Sequence, residues 1–93
     1  MKMNKFIPGQ LVISKAGRDK GRMFIIQAVV ETDFVRLVDG KLRPLEKPKR
    51  KKIIHLQATN IHTDILDQPH VNNANIRKLI QQYQHSEEEA RLG

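Results

Sequence analysis

What most constrains this chain is how its apolar residues are parcelled. Between residues 8 and 56 they fall into four short segments, each closed by turn chemistry. Pro8-Gly9 marks a turn, after which Leu11-Val12-Ile13 reads as a first short strand. The stretch SKAGRDKGR that follows is too polar and glycine-rich for the interior of an element, so it is assigned to a loop. Met23 to Glu31 is the longest strand expected. Phe24, Ile26, Ala28 and Val30 alternate onto one face, and Ile25 and Val29 with Gln27 take the other. Apolar residues on both faces point to a strand that is covered or that curls.

Thr32-Asp33 turns the chain into a strand over Phe34 to Val38, in which Arg36 is interleaved with Val35 and Leu37. Asp39-Gly40 is the strongest local signal. Between alternating segments it favours a type I′ hairpin turn, whose two central residues both need positive φ. The returning strand is expected at Lys41 to Leu45, where Pro44, with no N–H to donate, confines it to an edge or ends it. The segment EKPKRKK reads as a basic connection, and Ile53 to Leu56 as the last strand. Five short strands in under fifty residues predict a mainly β chain: a small, strongly bent antiparallel barrel. Its core must be aliphatic, because the 93 residues include only three Phe, one Tyr and no Trp.

From Thr59 the texture changes to a polar stretch, and the domain reading divides the chain into a barrel over 1–58 and a connection with a C-terminal helix over 59–93. Ile61, Ile65 and Leu66 are placed to pack one helical turn onto the barrel. Asn72 or Asn73 is the expected N-cap, and Ile76, Leu79, Ile80 and Tyr83 then form the i, i+3, i+4, i+7 stripe of an amphipathic helix. That stripe has two readings: docking on the chain's own barrel, or contact with a protein neighbour. The helix is expected to fray at Glu87-Glu88-Glu89, which oppose its macrodipole, although Glu87 and Arg91 stand in pairing position.

Charge locates the function. Seventeen Lys and Arg against ten acids leave a net +7. Residues 1–52 hold fourteen of the basic side chains and five acids (net +9), whereas residues 53–93 hold three and five (net −2). Such a surface seeks an anionic partner, and the asymmetry places that contact on the N-terminal half. Two clusters stand out. In the first, Lys15, Arg18, Lys20 and Arg22 surround Gly17 and Gly21, whose small size lets backbone approach a phosphate. In the second, Lys47, Lys49, Arg50, Lys51 and Lys52 are interrupted only by Pro48.

The residues from Gly9 to Gly40, GQLVISKAGRDKGRMFIIQAVVETDFVRLVDG, resemble a KOW motif, the short RNA-binding signature of several ribosomal proteins and transcription factors. The motif's glycine maps to Gly21, and Asp19, Lys20 and Arg22 fit its basic loop. VISKAGRDKGR followed by VRLVDG and HLQAT is similar to the fourteen-e type of large-subunit ribosomal protein and its small bacterial KOW-domain RNA-binding homologues. The resemblance spans about residues 9–60. It implies an SH3-like barrel that binds RNA, most of all ribosomal RNA, as a cytoplasmic ribonucleoprotein component.

Other chemistries find little support. No cysteine is present, so disulfides, thiolate metal sites and cysteine catalysis are excluded. His55, His62, His70 and His85 show no tight metal-ligand spacing. GRDKGR lacks the GK[ST] ending of a nucleotide-binding loop, and Ser14 and Ser86 have no visible triad partners. Asp19, Asp33 and Asp39 fall in expected turns, where aspartate serves the backbone more often than catalysis. The expectation is a protein that is not an enzyme, with no cofactor and no small-molecule substrate. No apolar run approaches the roughly 20 residues needed to span a bilayer, and no signal-peptide core follows Met1 to Lys5, which makes the cytoplasm the expected address. The alternative function is an adaptor for an acidic protein of the translation or transcription machinery. Adhesion to anionic membrane is disfavoured for want of a basic amphipathic helix. Phe34 and Tyr83 are the aromatics available for stacking on RNA bases.

Overall fold

The computed structural model describes residues 6–92, with side chains from 6 to 84. Five antiparallel strands form one sheet: β1 (Gln10–Ser14), β2 (Met23–Val30), β3 (Phe34–Val38), β4 (Lys49–Lys52) and β5 (Leu56–His62), in the order β4-β3-β2-β1-β5. The two edge strands of that order, β4 and β5, are consecutive in the chain and joined only by a 3-10 turn, Ile53–His55. A flat five-stranded sheet would hold its edges about 19 Å apart, whereas three residues reach at most about 10 Å. The sheet therefore has to curl into a small SH3-like barrel. Register shifts at Gln10/Val12 and Ile26/Ala28 supply local bends.

Curling buries one face of the strands, and further packing covers the other face of β1 and much of β2, which accounts for the two-sided apolar pattern of β2. Val12, Phe24, Ile26, Val35, Leu37 and Leu56 pack together as one cluster. Their chain neighbours Leu11, Ile13, Met23, Ile25 and Val38 point the other way and form a second cluster with Ile76 and Ile80. Both isoleucines lie on α1 (Asn73–Leu92), and Leu79 and Tyr83 pack on the same cluster, so the stripe docks on the chain's own barrel. Asn72 is the N-cap: its Oδ1 accepts the Asn75 N–H at 2.8 Å. Ile65–Asp67 forms a single 3-10 turn, and Ile65 and Leu66 pack beneath the helix. Glu87-Glu88-Glu89 and the Glu87–Arg91 pairing lie outside the residues whose side chains are described.

Three expectations are corrected. Asp39-Gly40 does not open a two-residue hairpin, and Lys41 to Leu45 is not a strand. The Asp39 carboxylate accepts the N–H groups of Lys41 and Arg43 at 2.9 and 2.8 Å, which holds the chain in a wider loop over residues 39–48. The strand that pairs with β3 is instead the basic run: Leu37 stands opposite Lys49, and Phe34 opposite Lys52. Finally, Ile53–His55 is the closing turn and not a strand, and residues 59–62, expected in the polar connection, belong to β5 and pair with β1. That strand carries across the boundary expected at residue 58.

Candidate functional site

The loop between β1 and β2 spans residues 15–22 and is held by its own backbone. Gly21 donates to the Ser14 carbonyl at 2.8 Å, Arg22 to that of Asp19 at 2.9 Å, and Ser14 to that of Arg22 at 2.9 Å. Gly21 has φ +86°, the left-handed region in which a side chain costs strain, and open space surrounds the position where a Cβ would stand. The glycine is there for its backbone angle. The loop's one carboxylate, Asp19, is turned inward: it is 5% exposed and pairs with Arg43 at 3.2 Å. Lys15, Arg18 and Lys20 are left exposed with no ion pair among the described residues.

Pairing as a strand splits the second cluster between two faces. Lys49 and Lys51, opposite buried Leu37 and Val35, lean toward the barrel and are half-buried. Lys51 reaches across to the first loop, where its Nζ donates to Ser14 Oγ at 2.8 Å and to the Ala16 carbonyl at 3.0 Å. A Cβ at Gly17 would lie 3.8 Å from that ammonium. Both acceptors are neutral, so Lys51 joins the two clusters without surrendering its charge. Arg50 and Lys52 face outward beside Phe34: the Arg50 guanidinium lies 3.7 Å from the ring centroid and the Lys52 ammonium 5.9 Å. Arg50 also pairs with Glu31 at 2.7 Å, an exposed contact.

The structure therefore fastens the loop that carries Lys15, Gly17, Arg18, Lys20 and Gly21 to β4, where Lys51 meets it at Ser14, Ala16 and Gly17. It does not turn Arg22 and Lys47 toward that junction. Arg22 turns toward buried Asp39, 3.8 Å away, at a cleft of about 190 Å³ also lined by Lys41 and Arg77. Lys47 belongs to the 39–48 loop, which is pinned to the helix: Leu45 N–H donates to Asn73 Oδ1 at 2.8 Å, and the Asn73 amide donates to Glu46 at 2.7 Å.

Sequence reasoning missed Arg36. It stands directly opposite Arg50 across β3 and β4, on the exposed face. Like charges in directly opposed positions destabilise a sheet. Its signal was the break it makes in the apolar run of Phe34 to Val38.

His55, His62 and His70 are exposed, and among the described residues no three His, Asp or Glu side chains gather into a metal-holding group; His85 lies outside the described side chains. No helix among the described residues is long and apolar enough to cross a membrane. No protein-family model matches this chain, and no curated protein matches it.

Proposed function

We propose that this protein is a non-catalytic RNA-binding module that grips structured RNA, foremost ribosomal RNA, through the 15–22 loop and β4. The observation that carries this reading is the junction at Lys51. A half-buried ammonium satisfied by a hydroxyl and a carbonyl fastens two cation-rich segments side by side, while the carboxylate of the first loop, Asp19, is buried against Arg43. A fold that needed those cations only for solubility would not have to bring them together. A polyanion repays their mutual repulsion, because each neutralised phosphate releases condensed counterions. Arg18 can grip a phosphate in bidentate fashion, and exposed lysines supply point charges. The resemblance of Gly9–Gly40 to a KOW motif points the same way, with Gly21 at the motif's glycine.

The test is the salt dependence of binding to structured ribosomal RNA. With about six phosphates engaged, affinity falls roughly a thousandfold or more between about 50 and 200 mM salt. A slope near zero overturns the reading at any residual affinity. Crosslinking in cells, followed by sequencing of the bound RNA, identifies the target; a pool without ribosomal RNA overturns that part of it.

A further inference from the structure

We infer that the exposed face of β3 and β4 is a binding site for an unpaired nucleotide, with the base stacking on Arg50 over Phe34 and flanking phosphates held by Arg36 and Lys52. The inference rests on the RNA reading above and names which part of an RNA this face takes.

Cross-strand register sets the geometry. Phe34 opposes Lys52 and Arg36 opposes Arg50, so these four side chains share one face of a two-strand ribbon. Arg36, Arg50 and Lys52 are exposed, and Phe34 is half-buried beneath them. At 3.7 Å from the ring centroid, the Arg50 guanidinium stands at stacking distance from the ring, and Glu31 holds it there at 2.7 Å. Two cations thus stand over one aromatic ring and a third shares its face, an arrangement costly in isolation because Arg36 and Arg50 are directly opposed. Unpaired bases stack on aromatic rings and on guanidinium planes alike. A ring already carrying a guanidinium continues that stack outward without having to be uncovered. The cations on either side of the stack fall where the backbone of a splayed nucleotide needs counter-charge. A base-paired helix has no free base to offer this face, so the site distinguishes loops, bulges and single strands from duplex.

The experiment uses the full chain and two probes of equal length, a short oligoadenylate and an abasic ribose-phosphate oligomer, each titrated at low and moderate salt. The unmodified protein should prefer the base-bearing oligomer by roughly 5- to 100-fold. Arg50→Lys keeps the charge and removes the guanidinium plane, leaving only the half-buried Phe34 ring to stack on; it should reduce that preference while leaving the salt slope intact. Phe34→Leu should also reduce it, with thermal unfolding as the control for folding; if that variant does not fold, Arg50→Lys decides alone. Arg36→Gln should weaken both probes equally and reduce the salt slope by about one. Equal affinity of the unmodified protein for the two probes, or an undiminished preference in Arg50→Lys, overturns the site. A flat salt slope for every RNA tested would instead overturn the RNA reading beneath it, and the two failures are told apart by that slope.

Discussion

The 15–22 loop and the 39–48 loop are both polar connections with glycines at positive φ, yet opposite means hold them. The second is folded into the molecule. Gly40 lies so close to the helix that an added Cβ would stand 2.3 Å from the Asn73 carbonyl oxygen and 3.1 Å from the Arg77 nitrogen. Arg77 donates to the Gly40 carbonyl at 2.7 Å, and Asn73 grips both Leu45 and Glu46. The first loop has backbone hydrogen bonds of its own, one inward carboxylate and the Lys51 clasp, and otherwise faces outward. Arg43 and Arg77 hold the 39–48 loop in place, whereas Lys15, Arg18 and Lys20 of the first loop are exposed and make no ion pair among the described residues.

The largest blow to this contrast comes from removing the helix. Ending the chain ahead of Asn72 deletes Ile76 and Ile80, buried against Leu11, Ile13, Met23, Ile25 and Val38, together with every anchor of the 39–48 loop on Asn73 and Arg77. Large aliphatic truncations cost about 2–5 kcal/mol each, against a total stability of about 5–15 kcal/mol for a domain. The shortened chain should show no cooperative thermal transition by circular dichroism. A sharp transition near that of the full chain would mean that the helix is an accessory and that the 39–48 loop holds itself.

How far the sequence foretold this arrangement depends on where hydrophobic contrast was available to read. β1, β2 and β3 were legible because apolar residues alternate or abut turn residues there, and the helix because its stripe is regular. β4 was hidden: KRKK alternates faithfully between an inward and an outward face, but all four residues are cationic, so the period carries no hydrophobic signal. The far half of β5, Thr59 to His62, was hidden for the same reason by polar residues. Asp39-Gly40 misled because a two-residue pattern cannot reveal that the carboxylate will cap N–H groups two and four residues ahead. The basic clusters themselves were plain in the sequence. Their junction at Lys51 and the Arg36–Arg50 opposition depend on strand register, which no local pattern specifies.

The same substitution at two glycines sharpens the comparison at a smaller scale. Gly40→Ala meets both the left-handed backbone at φ +75° and the Asn73 carbonyl, and backbone cannot swing aside as a flexible side chain does. Left-handed strain of about 1–2 kcal/mol adds to overpacking of about 1–3 kcal/mol. Gly21→Ala meets the strain alone, at φ +86° in open space. Denaturant unfolding should therefore place Gly40→Ala at least about 1 kcal/mol below Gly21→Ala. Equal losses would show that the 39–48 loop relaxes away from the helix at little cost, and that it is no more tightly built than its counterpart.

The smallest effect on stability, and the one that isolates function, belongs to the outward cations of the first loop. Arg18 and Lys20 are exposed and make no ion pair among the described residues, whereas Arg22 faces Asp39 and would confound a stability measurement. Arg18→Gln combined with Lys20→Gln should leave unfolding unchanged to within about 0.5 kcal/mol, as is usual for surface positions without partners. If RNA is gripped as proposed, the same double variant removes two phosphate contacts, so the slope of log affinity against log salt should shrink by roughly 1.4–1.8. Affinity should fall across RNA sequences alike, since such contacts fix position and carry no base information. An unchanged slope with unchanged stability would take the polyanion off this loop and leave it to β4 alone. A stability loss of several kcal/mol would mean that the 15–22 loop is folded in as firmly as the 39–48 loop, and the contrast between them would not stand.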